Sequence, residues 1–384
     1  MQNSKWHHNP SLDITPSLPP ETSIGLRHLH FVDSSRDDIS TGKREFMASV
    51  FYRAETDVAA PRARLTDILQ PHVDEALELL SKSSGLAAHE KAAVFSRLIA
   101  LTLRAQRDLR PQCARSPVLI FYPGGQGHRL ANSALCESLA CNGYIVFALD
   151  APRDAPVVVF PDGRMVTPPA PDDESYIWPR VADVRHLLNE LETLNSAGPL
   201  AGVLDLSRIG MFGHSRGGYL SNICAVEDER ISAACNMDGF LWGLWVATGT
   251  GLDEYPVDFQ QRARALETPI LRLRGDQGGA EAAQRGFEEE RLDFGGDFIS
   301  VALCGFTHGD FATTPWLCGA PEDFGKDAER PAADPARIEL LVRLLTDFFD
   351  TYLRKSRSRM ALLTPPEQQI GMDIFSQSRI SRRE

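Results

Sequence analysis

The feature that most narrows what this chain can fold into is the run Arg208-Ile-Gly-Met-Phe followed at once by Gly213-His214-Ser215-Arg216-Gly217. An apolar segment of strand length ends in a turn with glycine two residues either side of a serine, and a helix-like stretch, Tyr219 to Val226, follows. A strand that turns this sharply into a helix leaves no room for side chains at the flanking positions, hence the two glycines. The serine is then held in a strained conformation at a helix N-terminus, exposed at the end of a sheet. The pentapeptide alone is a weak signal. Its strand and helix neighbours make it specific, against the alternative of a glycine-rich turn carrying an idle serine.

The rest of the chain supplies a sheet for that turn. From Pro117 onward, short apolar segments alternate with amphipathic ones, the pattern of a mostly parallel sheet covered on both faces. Strands are expected at Val118 to Tyr122, Tyr144 to Leu149, Arg208 to Phe212, Ala233 to Met237, Ile270 to Arg274 and Phe298 to Leu303. Val181, Val184, Leu187, Leu188, Leu191 and Leu194 fall on one helical face. A last helix opens with Asp334 as N-cap and Pro335 at its first position, and buries Ile338, Leu341, Val342, Leu345, Phe349 and Tyr352. Two β-like stretches, Leu26 to Val32 and Phe46 to Tyr52, come earlier. Between them and the core, Leu65 to Leu80 and His89 to Arg107 predict helices, within an insertion or cap over about 62–112. The expected organisation is a tail over 1–24, one domain over 25–353 and a C-terminal tail over 354–384.

A serine on such an elbow, in a sheet of this kind, predicts the α/β-hydrolase fold and acyl chemistry. The developing oxyanion needs two donors. The amide of Arg216 supplies one, and Pro123-Gly124-Gly125-Gln126-Gly127, directly after a strand, supplies the other, with Gly125 favoured and Gln126 beside it. Neither phosphate-loop pattern is completed there. Hydrolases of this fold order their residues serine, acid, histidine, and His308, in Cys304-Gly-Phe-Thr-His-Gly-Asp-Phe, is the histidine that follows a late strand. The acid is open between Asp238 and Asp276, each ending a strand. Phe240, Trp242 and Trp245 follow Asp238 closely enough to line a pocket, although such aromatic runs are more often core.

These segments resemble the platelet-activating-factor acetylhydrolase family, particularly its microbial and fungal members. The matching pieces are Phe121-Tyr-Pro-Gly-Gly, Tyr144-Ile-Val-Phe-Ala-Leu-Asp, Phe160-Pro-Asp-Gly-Arg, Arg180 with Asp183, Gly213-His-Ser-Arg-Gly-Gly and Asn236-Met-Asp-Gly. The resemblance implies that the acid is Asp238, 23 residues after Ser215, with Asp276 in reserve. It also implies ester hydrolysis, without fixing a phospholipid as substrate. Gly125-Gln126 stands where many relatives have an apolar residue followed by glycine.

Composition excludes other classes. A net charge of -12 argues against general nucleic-acid binding. No run approaches a membrane span in length, and the N-terminal segment lacks the apolar stretch of a secretory signal, so a cytoplasmic location is expected. Seven cysteines show neither paired nor zinc-ligand spacing, and no metal or organic cofactor is expected. The partner expected is a small ester or acyl substrate; oligomeric state is not legible. Acyl transfer, cyclisation or lactone opening on the same three residues is the alternative reaction, and a non-catalytic receptor on the same scaffold is a third reading.

Overall fold

The computed structural model describes residues 22–38, 42–81, 92, 95–96, 98–125, 127–150, 152, 155–167, 177–242, 252, 255–275, 294–312, 335–356 and 372–377. The chain opens with a long hairpin, β1 (Ile24–Asp38) and β2 (Gly42–Arg53), then β3 (Arg62–Arg64), a 3-10 turn (Leu65–Leu69), α1 (Val73–Ser81) and β4 (Thr102–Arg107). Next come β5 (Ser116–Tyr122), α2 (Ser133–Cys141), β6 (Ile145–Leu149), a small hairpin of β7 (Val158–Val159) and β8 (Met165–Val166), and α3 (Ile177–Ser196). The remainder is β9 (Leu204–His214), α4 (Arg216–Glu227), β10 (Ile231–Met237), α5 (Val257–Ala265), β11 (Ile270–Gly275), β12 (Phe298–Leu303), a 3-10 turn (His308–Phe311), α6 (Pro335–Leu353) and β13 (Met372–Gln377).

Eleven strands form one sheet in the order β13-β12-β11-β10-β9-β5-β6-β2-β1-β4-β3. The six from β12 to β6 are mutually parallel. Each parallel crossover needs a helix, and the helices bury both faces, so these strands are continuous apolar runs. Along β5 the faces alternate. Leu119 and Phe121 pack with Phe212, Leu341 and Phe349 under α6, while Val118 and Ile120 pack with Met211, Leu187 and Leu220 under α3 and α4. On α6, Ile338, Leu341, Val342, Leu345 and Phe349 are buried and Tyr352 partly so.

Two expectations need correcting. The segment over 62–112 is helical only in part: residues 98–100 are helical, but Thr102–Arg107 is a strand, parallel to β1 and antiparallel to β3. With β3 beyond it, it therefore extends the sheet past β1, with Leu103 and Ala105 buried and polar Thr102, Arg104 and Gln106 alternating with them. The segment past 353 is not only a tail, because Met372–Gln377 pairs antiparallel with β12 from Leu303↔Met372 to Phe298↔Gln377. Asp334, the expected N-cap, lies outside the described residues, although α6 does begin at Pro335.

The strand order places the site. After β5 the chain adds β6 on one side and later β9 on the other, so the connections leaving β5 and β9 diverge and open a crevice at their C-terminal ends.

Candidate active site

Ser215 stands between β9 and α4 with φ 53° and ψ -115°, outside the comfortable regions for a residue bearing a side chain. Close packing enforces this. A Cβ on Gly213 would lie 2.2 Å from the Gly217 carbonyl oxygen, and one on Gly217 would lie 2.0 Å from that of Tyr122. The Ser215 amide donates to the Met237 carbonyl at 2.8 Å, pinning the elbow to β10.

His308 arrives on the 3-10 turn after β12, with its Nε2 2.9 Å from Ser215 Oγ and its Nδ1 2.6 Å from Asp238 Oδ2. An ionised carboxylate only accepts, so Nδ1 carries the proton and Nε2 is the acceptor for the serine hydroxyl. The other Asp238 oxygen accepts the Gly275 amide at 2.9 Å. Burial alone would raise the Asp238 pKa, but the His308 hydrogen bond, the Gly275 amide and the neighbouring imidazoles outweigh it and hold the carboxyl below its ordinary value. The Asp238 side chain is 9% exposed and that of His308 51%, so the carboxylate is shielded while the imidazole reaches open space.

Supporting groups fix each of the three segments. Asn236 bridges the turn after β10, accepting the Gly239 amide at 2.8 Å and donating to the Phe240 carbonyl at 2.9 Å. The buried Asp310 carboxylate accepts Thr307 Oγ1 at 2.9 Å and Arg337 Nη1 from α6 at 2.6 Å, which anchors the His308 turn. Asp150, at the end of β6, accepts the Arg129 amide at 2.7 Å and pairs with its guanidinium, both side chains being almost wholly buried. That pair ties down the loop carrying Gly124 and Gly125. Gly124 abuts the elbow, since a Cβ there would stand 3.2 Å from Ser215 Cβ, while Gly125 faces the Arg216 guanidinium.

The structure thus brings Ser215, His308 and Asp238 together, with Gly125 and Arg216 beside them. Gln126, Asp276 and Trp245 lie outside the described residues. Phe240 is 56% exposed next to Asp238, but Trp242 is a core side chain, 2% exposed and packed edge-on against Phe259 and beside Phe294. Asp183 pairs with Arg44 and Arg36 of the first hairpin, at 2.9 and 2.8 Å. Sequence reasoning quoted Asp150, Asn236 and Asp310 within longer segments but gave them no role, and it passed over Asn132. The available signal was their position at strand ends and loop starts, where polar residues hold backbone. Among the described residues no cluster of three or more His, Cys, Asp or Glu side chains is set to hold a metal ion, and no helix is long and apolar enough to cross a membrane.

A mostly parallel sheet covered on both faces, with the serine on a strand-to-helix elbow at its switch point, is the α/β-hydrolase fold. The solved structure of the ferulic acid esterase from Streptomyces cinnamoneus matches it with a TM-score of 0.71 at 24% identity, covering 94% of this chain and 98% of that one. Over 145 residues the chain is 34% identical to the probable 1-alkyl-2-acetylglycerophosphocholine esterase of Arthroderma benhamiae. That stretch covers 38% of this chain and 37% of the relative, well under two thirds of its length. No family model matches the sequence.

Proposed function

We propose that this protein is a serine hydrolase of small carboxylic esters, with Ser215 as nucleophile, His308 as general base and acid, and Asp238 as the group that orients His308. The observation that carries the reading is the continuous hydrogen-bonded line from Ser215 Oγ through His308 to Asp238, at 2.9 and 2.6 Å, on the switch-point edge of the sheet. The esterase names of the two similar proteins point the same way.

In this mechanism His308 Nε2 takes the proton of Ser215 as Oγ attacks the ester carbonyl. The oxyanion is received by the Arg216 amide and by the loop at Gly125. His308 then protonates the leaving alcohol and the acyl-serine forms. A water molecule deprotonated by the same nitrogen attacks that ester, and the acid leaves as Oγ regains its proton. Asp238 stays ionised throughout and stabilises the imidazolium. Phe240, exposed beside Asp238, supplies an apolar contact for one arm of the ester. The buried free thiols of Cys136, Cys141, Cys224 and Cys235 suit the reducing cytoplasm expected from sequence.

The test is hydrolysis of a p-nitrophenyl ester series by wild type and Ser215→Ala, with mass spectrometry after fluorophosphonate treatment. Turnover that falls at least about 10³-fold in the variant, with an adduct on Ser215 in wild type, is the expected result. A wild type with neither turnover nor adduct would overturn the reading.

A further inference from the structure

Ser215 faces the ring of His308, and His214, the residue before it, faces the main chain of His308. His214 Nε2 lies 3.0 Å from the His308 carbonyl oxygen, and the two rings are 4.6 Å apart. A carbonyl only accepts, so Nε2 carries the proton and Nδ1 is bare. Nδ1 is turned to the loop after β5, 3.1 Å from where a Cβ on Gly124 would stand. The imidazole also lies nearly parallel to the Phe311 ring at 6.4 Å, and the Phe311 carbonyl accepts Asn132 Nδ2, from the far end of that same loop, at 2.7 Å. With only 8% of its surface exposed, His214 is wedged between the loop holding Gly124 and Gly125 and the turn holding His308.

We propose that His214 is a positioning residue: its Nε2–H sets the main chain of His308, and so the height of the reacting imidazole over Ser215, while its opposite edge spaces the Gly124–Gly125 loop from the elbow. The inference rests on the serine-esterase reading above. A flat side chain with one donor at its tip meets both demands, whereas an apolar residue of the same size would leave the His308 carbonyl without this donor. The charged and titratable groups facing it are His308 and Asp238; burial, reinforced by the charge of His308, pushes the His214 pKa down to about 3. His214 therefore stays neutral when His308 takes up the proton of Ser215, adding no second cation beside the imidazolium.

Two variants separate positioning from bulk. His214→Gln keeps an N–H where Nε2 stands; His214→Met fills similar space without it. The measurements are kcat and KM on a p-nitrophenyl ester, the rate of fluorophosphonate labelling of Ser215, and the thermal midpoint. For the Met variant the expected result is kcat and labelling lower by about 10²-fold with KM within about threefold, because a misplacement of roughly 1 Å has that effect. The Gln variant is expected to recover most of the loss. A folded Met variant with wild-type kcat, or a folded Gln variant no better than Met, would overturn the inference. The wild-type chain provides a test that needs no variant to fold: long-range 1H–15N correlation of the imidazoles must show His214 as the neutral Nε2–H tautomer from about pH 6 to about pH 9, a range lying wholly above its lowered pKa. An Nδ1–H tautomer overturns the proposal. Absence of labelling in wild type itself would instead count against the esterase reading, and the tautomer would still report on the His214–His308 contact.

Discussion

Ser215 and Asp238 leave adjacent parallel strands at the same level, directly after the paired residues His214 and Met237, and both have φ of 53°. The two are held in a left-handed conformation that residues with side chains adopt at a cost of about 1–3 kcal/mol. Surrounding structure enforces it, through the Ser215 amide on Met237 and the Asp238 amide on Leu273, at 2.8 and 2.7 Å. Ser215→Gly is therefore expected to be more stable than Ser215→Ala by about 1 kcal/mol, both lacking the hydroxyl. Urea denaturation of the two variants measures the difference, and equal midpoints would show that the elbow stores no strain.

The glycines of the elbow and its loop are not equivalent. A Cβ on Gly217 meets the Tyr122 backbone at 2.0 Å, whereas one on Gly125 meets the end of the flexible Arg216 side chain at 3.0 Å. Gly217→Ala should lose at least about 3 kcal/mol, or fail to accumulate as folded protein, while Gly125→Ala should stay within about 0.5 kcal/mol of wild type. Circular dichroism and denaturation of the pair decide this, and a stable Gly217→Ala protein would contradict the packing described.

Asp238 links the site to pH. Its carboxyl has a folded pKa below the ordinary value, so it contributes stability that is present above the unfolded pKa of about 4 and is lost as pH falls through the folded value. The stability difference between wild type and Asp238→Asn should accordingly be largest near neutrality and shrink at acid pH. The same substitution is expected to lower kcat by about 10³–10⁴-fold, because the neutral amide no longer stabilises the imidazolium and its NH2, if turned to His308 Nδ1, favours the wrong tautomer. Denaturation from about pH 3 to about pH 7 traces the curve; a difference that grows toward low pH would reverse the assigned sign.

What the sequence disclosed follows from how each element is buried. The parallel strands were legible because both faces are covered, which makes Val118 to Tyr122 and Ile145 to Leu149 continuous apolar runs. β4 misled because a strand next to the sheet edge, between β1 and β3, buries only Leu103 and Ala105 in a polar stretch that continues a helical segment. β13 was missed because six residues following a polar stretch acquire strand structure from the exposed edge of β12. The elbow at Ser215 was legible from local sterics, and the placement of His308 beside it from chain order. The proposed acid could be narrowed to two strand ends, and the contact of His214 with His308, 94 positions apart, had no sequence signal at all.

Arg129 and Asp150 allow stability and catalysis to be separated. Asp150 receives both the guanidinium and the main-chain amide of Arg129, with both side chains almost fully buried, and the Arg129 Nε donates to Ser49 Oγ at 3.0 Å. Asp150→Asn leaves a guanidinium in the interior without its countercharge, and a loss of about 3–5 kcal/mol is expected. Replacing both, as Arg129→Met with Asp150→Leu, removes the unpaired charge and should restore much of that stability. It cannot restore an acceptor for the Arg129 amide, so the loop holding Gly124 and Gly125 stays less well fixed and kcat should remain low, by about tenfold or more. Urea denaturation and ester turnover on the single and double variants separate the two effects. A double variant that recovers stability and full kcat together would show that the pair serves the core alone.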